Sequence, residues 1–218
     1  RTSYLLQTEE SNILIDCGVD VSAPEEYAYP YLQAPELKID QLDAIILTHA
    51  HVDHSALIPL LYKYGYRGPV YCTPPTRDVA ALLALDFISV GQMENRKALY
   101  ETSEVKEVVK HTITLNYEEV TDITPDVRLT FYNAGHTLGS SMAHLHIADG
   151  LHNLMFTGDF NFETSNLLAS AVTKFPRLET LVIEGTYGSK DDVVASRRES
   201  EDYLKNIIKT TIERKGKV

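Results

Sequence analysis

The chain reads as an α/β sandwich with mixed sheets, on three observations. Through its first half, short apolar runs alternate with longer segments of helical period. After Glu119 the runs become short, β-rich and separated by glycine-containing turns, which is the pattern of an antiparallel meander. A closing apolar run, Thr180 to Ile183, leads into Glu184-Gly185-Thr186-Tyr187-Gly188 and a last helical segment. Helices and strands mixed in this way call for sheets holding both parallel and antiparallel pairs.

Strands are expected at Ser3 to Gln7, Asn12 to Asp16, Asp43 to Thr48 and Pro69 to Cys72. Cys17 to Lys38 carries Pro24, Pro30 and Pro35, so it reads as a loop with short helical turns. Helices fit Ser55 to Tyr64, Pro75 to Tyr100 and Ser103 to His111, and Pro75 suits a helix start because its missing N–H costs nothing there. The meander comprises Val127 to Asn133, Met142 to Ala148 and Asn153 to Thr157, and the last helix runs from Asp192 to Lys215. The segment 1–190 is taken as one domain and 191–218 as a helix leading onward, so the chain is expected to be a piece of a longer protein.

Composition narrows the function classes. The chain has 218 residues, 44% of them apolar, and no apolar run approaches the ~18 to 20 residues that a membrane helix needs. No charged stretch followed by an apolar one opens the sequence, so a cytoplasmic protein without membrane partners is expected. Cys17 and Cys72 are too few for a disulfide framework or a cysteine-rich zinc ribbon, and any metal must be held by nitrogen and oxygen. A net charge of −11 argues against nucleic-acid binding through a broad basic surface, although the tail from Arg197 is locally basic. That tail reads as a solvated amphipathic helix with cations near its C-terminal end.

Chemistry concentrates in His49-Ala50-His51-Val52-Asp53-His54, three imidazoles and a carboxylate directly after a buried strand. Four such groups crowded at a strand end are mutually unfavourable unless a cation joins them. His49 and His51 can reach one ion together, and Asp53 and His54 are displaced enough to serve a second. Two ions ~3.5 to 4 Å apart activate a water and clamp a phosphoryl or acyl oxygen. Completing both shells requires further donors at strand ends. His136 in Ala134-Gly135-His136-Thr137-Leu138-Gly139-Ser140 and Asp159 in Thr157-Gly158-Asp159-Phe160 are the candidates.

These motifs, in this order and with Asp16 closing the second strand, resemble the metallo-β-lactamase fold, an αββα sandwich of mixed sheets with outer helices. The His136 motif and Glu184-Gly185-Thr186-Tyr187-Gly188 resemble the β-CASP nucleases, and within them the archaeal relatives of the cleavage and polyadenylation specificity factor endonuclease subunit. The resemblance implies two Zn2+ ions. His49, His51 and His136 would hold one, Asp53 and His54 the other, and Asp159 would bridge both. It further implies that Asp16 orients ligands, and that Glu184 opens the β-CASP insert and tunes a histidine that protonates the leaving oxygen.

That histidine, and the late one that completes the second zinc shell, are not found in this sequence, where nothing after His152 is a histidine. The second site is therefore expected to be incomplete and the chain alone poorly active. For the intact protein the resemblance implies hydrolysis of single-stranded RNA in 3′-end processing or transcription termination. Endonuclease and 5′ to 3′ exonuclease action both stay open. Upstream KH domains, contacts with the transcription or RNA-processing machinery and a homodimer are implied outside this span. A small-molecule hydrolase of thioesterase or lactamase type, and a non-catalytic scaffold, are the competing readings.

Other residues have plainer readings. His144 and His146 share a strand face but match no ligand, and are placed on the sandwich surface or edge. Tyr27, Tyr29 and Tyr31 could stack on bases but read as half-buried loop anchors. Cys17 and Cys72 read as buried small apolar residues.

Overall fold

The computed structural model describes residues 2–192 and 195–218, which divide into two compact units, 1–184 and 185–218. In the first unit, β1 (Tyr4–Gln7) and β2 (Asn12–Ile15) form an antiparallel hairpin. β3 (Ala44–Ile46), β4 (Val70–Cys72) and β5 (Thr112–Thr114) then add in order, each parallel to its neighbour. The connections carry α1 (Glu25–Ala28), α2 (Val52–Ser55), α3 (Ile58–Lys63), α4 (Pro74–Met93) and α5 (Thr102–His111).

The second sheet comprises β6 (Val120–Thr124), β7 (Val127–Asn133), β8 (Ser141–Ile147), β9 (His152–Phe156) and β10 (Thr180–Val182), in the order β10-β9-β8-β7-β6. Its meander strands pair antiparallel and β10 joins β9 in parallel. Both sheets are thus mixed, as the sandwich class requires.

Period-two alternation puts Ile13, Ile15, Ala44 and Ile46 of the first sheet against Leu129, Phe131, Ala143 and Leu145 of the second. Each fully buried Ile, Leu or Phe among these contributes about 1.5–3 kcal/mol. The opposite face of the first sheet, with Leu14, Ile45 and Val70, packs on Leu57, Ile58 and Leu61 beside and within α3 and on Val105 of α5. That is why β2, β3 and β4 read as continuous apolar runs: they are covered on both faces. The outer face of the second sheet sets Met142 and Met155 against Phe175 and Leu178. The second unit contains α6 (Arg197–Glu213), opened by a capping box in which Ser196 and Glu199 satisfy each other's backbone N–H.

Several elements differ from expectation. The helix expected over Ser55 to Tyr64 is two short helices, broken at Ala56 and Leu57 so that α2 can carry Asp53 and His54 into the site. The long helix stops at Met93 rather than Tyr100, because Asn95 adopts a left-handed conformation (φ 55°). Of the helix expected from Asp192, residues 193 and 194 lie outside the described residues, and α6 opens at its Ser196 cap. β5 and β6 were not legible: both are edge strands with partly exposed side chains and no apolar run.

Candidate metal centre

The site grows from the C-terminal end of β3. Asp16, just past β2 with φ 57°, is 1% exposed, and its Oδ1 accepts from Thr48 N at 2.8 Å. Its Oδ2 accepts from the Thr48 hydroxyl at 2.8 Å and faces His54 Nδ1 at 2.7 Å. Because the Thr48 hydroxyl spends its proton on Asp16, it can only accept from His49 Nδ1, 3.2 Å away. That sets the His49 tautomer and leaves Nε2 bare. The same logic at His54 puts the proton on Nδ1 and turns Nε2 toward the carboxylates.

His49 Nε2 lies 3.2 Å from His51 Nδ1, which lies 3.1 Å from His136 Nε2. Asp159 Oδ2 is 3.9 Å from His49 Nε2 and 3.7 Å from His136 Nε2. Donor atoms of these four residues all fall within 4.8 Å of one another. The other Asp159 oxygen, Oδ1, is 3.4 Å from His54 Nε2, and Asp53 Oδ2 is 3.6 Å from the same nitrogen. Asp159 therefore turns one oxygen to each group, and all six residues expected as ligands meet at one rim.

Charge shows what the cluster favours. Burial and the neighbouring imidazoles push His49 down to about 2, so it stays neutral and ready to ligate. Burial also lowers His136. His54 goes the other way: burial works against its charge, but hydrogen bonds to Asp159 and Asp16 and the charge of Asp53 prevail and lift it to about 10. Asp159, bonded to His54, is held at about 2 despite its burial. A cation has to sit between His54 Nε2 and the two carboxylates. Without a metal a proton takes that place, and His49 Nε2 and His136 Nε2 both converge on His51 Nδ1, which can carry only one proton between them. The donor set fits a divalent ion of the kind imidazole and carboxylate favour.

Two neighbouring turns hold the distant ligands. Gly158 has φ 52°, and a Cβ there would meet the Thr48 side chain at 2.8 Å, so glycine lets the Asp159 turn close on the strand end. Ser140, fully buried, accepts from His136 N at 3.1 Å and Thr137 N at 3.0 Å through its hydroxyl. Its carbonyl takes the Tyr117 hydroxyl at 2.9 Å. The Thr73 and Thr76 hydroxyls lie 2.7 and 3.0 Å from the Gly139 carbonyl. Ser140→Ala is expected to strand two half-buried N–H groups and lower stability by about 1 kcal/mol, read as a shifted urea midpoint.

Thr48, Thr73, Thr76, Tyr117 and the role of Ser140 escaped sequence reasoning. Hydroxyls that grip backbone across the fold leave no local pattern beyond their proximity to the histidines. Glu184 lines the same cleft as His54 and Asp159, and its Oε1 accepts from Phe160 N at 3.2 Å. His144 and His146 stand apart from the cluster. His144 is 5% exposed, not on the surface as expected, because the segment carrying Phe175 and Arg177 covers that face of the second sheet. Cys17 and Cys72 are buried free thiols, Tyr29 is half-buried, and Tyr27 and Tyr31 are exposed rather than half-buried.

Comparison with known proteins agrees with this architecture. The metallo-β-lactamase superfamily domain matches residues 5–183. The transcription termination factor FttA of Methanosarcina mazei is 54% identical over 217 residues, covering 99% of this chain and 34% of that protein. FttA of Methanothermobacter thermautotrophicus is also 54% identical, over the whole chain and 34% of its own length. FttA of Thermococcus kodakarensis is 52% identical, over the whole chain and 35% of its length. The chain thus spans about a third of the curated relatives it matches. With two mixed sheets face to face and a His/Asp cluster at their rim, the chain belongs to the metallo-β-lactamase superfamily.

Proposed function

We propose that this chain is the N-terminal part of the catalytic domain of a zinc-dependent RNA phosphodiester hydrolase of the β-CASP type, acting in 3′-end processing or transcription termination. The observation that carries this reading is Asp159, whose Oδ2 faces the His49 and His136 nitrogens while its Oδ1 faces His54, which supports a bridging role between two ions. The likeness to proteins named transcription termination factor supports the process.

His49, His51 and His136 would hold one Zn2+, Asp53 and His54 the second, and Asp159 both. When bound, such ions supply Lewis acidity to a phosphoryl oxygen and acidify a water at neutral pH. The chain's own residues do the rest. Asp16 keeps the proton of His54 on Nδ1, and through Thr48 does the same for His49. Glu184 anchors the backbone beyond Asp159. The region 191–218 leads toward the insert that supplies the remaining donors and the acid for the leaving oxygen. Because the domain is acidic, RNA must be gripped locally rather than drawn by the global field.

Assaying the 218-residue chain and the longer protein containing it on single-stranded RNA and on acyl and thioester substrates tests the reading. RNA cleavage that chelation abolishes and zinc restores is expected of the longer protein, with little from the chain alone. Turnover of the acyl or thioester substrates, with RNA untouched, would make it a small-molecule hydrolase. A folded protein that takes up no zinc would make it a scaffold.

A further inference from the structure

We propose that two adjoining grooves on the helical side of the first unit, which share no residue with the metal cluster, hold a stretch of single-stranded RNA. This placement rests on the RNA reading above and adds where the strand is gripped. The first groove, of about 560 Å3, lies between the end of α3 and the C-terminal part of α4, with Lys63, Phe87, Arg96, Lys97 and Tyr100 on its walls. The second, of about 670 Å3, shares Tyr29, Tyr64 and Leu99 with the first and adds Tyr27 and Tyr31. Both volumes lie in the ~300–1,000 Å3 range of ligand sites.

Three features point to a nucleic-acid strand. Charge is the first: Lys63, Arg96 and Lys97 line the grooves against one carboxylate, Glu26, in a chain whose net charge is −11. Lys63 gives one proton to the Leu99 carbonyl at 2.7 Å, which leaves it two more donors, and Arg96 pairs with Glu94 at an exposed position. The second is aromatic surface. Tyr31 is 73% exposed and Tyr27 and Tyr64 are each 59% exposed, so the grooves offer ring faces on which unpaired bases stack.

The third is an orphan. Tyr100 is fully buried, stacked on Phe87 with ring centres 6.1 Å apart, and its hydroxyl is the one buried side-chain polar atom among the described residues without a hydrogen-bond partner. Burial raises its pKa, so it remains a donor at neutral pH. A buried donor without an acceptor costs free energy and marks a place where a partner is missing. Cations along the first groove and exposed phenol rings along the adjoining one, together with a donor awaiting an oxygen, match the phosphates and bases of a single strand more closely than the apolar anchors of a protein partner.

The test is fluorescence anisotropy of a labelled oligouridine with the 218-residue chain, its Arg96→Glu/Lys97→Glu and Tyr31→Ala/Tyr64→Ala variants, and Tyr100→Phe. All these residues lie outside the metal cluster, so zinc content serves as the check on folding. Each double variant is expected to lose at least about ten-fold in affinity, with the salt dependence weakened by about two phosphate contacts only in the charge variant. Tyr100→Phe is expected to raise the melting temperature of the free chain while weakening RNA binding, whereas a merely structural hydroxyl would leave affinity alone. Wild-type affinity in every variant would overturn the placement and leave the RNA reading intact. No measurable binding of RNA by the unmodified chain would also overturn the placement, while the RNA reading itself stands or falls on the cleavage assay of the longer protein.

Discussion

Gly18→Ala is expected to destabilise the chain by about 3 kcal/mol or more and to weaken metal binding with it. A Cβ at position 18 would lie 1.8 Å from the carbonyl carbon and oxygen of Asp53 and 2.2 Å from His54 N. All three are backbone atoms, so no side chain can swing aside. Nor can the two segments part cheaply. Cys17 N donates to His54 O at 2.7 Å, Val19 N to Val52 O at 3.0 Å and Leu57 N to Cys17 O at 2.9 Å, so the methyl would break the ladder that holds α2 against β2. Urea unfolding reads the first effect and zinc titration calorimetry the second. A midpoint unchanged in Gly18→Ala would mean that the close approach of these segments does not hold the site.

Asp16→Ala is expected to cost about 3–5 kcal/mol in stability, because it removes one partner of a buried ion pair and strands the Thr48 donors. Metal affinity should fall about 10–100-fold, since His54 and His49 lose the contacts that set their tautomers. Asp16→Asn should be milder. Asparagine tolerates the left-handed backbone at φ 57° and keeps one acceptor oxygen.

In the metal-free chain the His54 contribution also has a direction in pH. Its folded pKa of about 10 lies above the ordinary 6.5, so the stabilisation is full below about 6.5 and is lost as pH rises through about 10. Asp16→Ala should flatten that alkaline limb of the stability profile. Urea midpoints of the metal-free protein across this window check it, and an unchanged limb would assign the alkaline loss to another group.

The ligand types were legible because His49, His51, Asp53 and His54 fall within one turn after an apolar strand, where local spacing alone brings them near each other. The sandwich class was legible for a similar reason. Strands buried on both faces read as continuous apolar runs, and the Gly-punctuated meander reads as antiparallel. Of the edge strands, β5 and β6 were not legible, since they draw their order from pairing with a neighbour and carry little apolar surface of their own.

What the sequence by itself determined is therefore the donor chemistry and the kind of scaffold that presents it. Only the tertiary structure decided that His136 and Asp159, from turns after β7 and β9, come within 4.8 Å of the first histidines. It also decided which ring nitrogen each histidine offers. Proton placement at His49 and His54 depends on Asp16 and Thr48, and their contacts exist only once β2 and β3 lie side by side. Hydrogen bonds between residues distant in sequence carry no periodicity, so the fold had to form before they could be read.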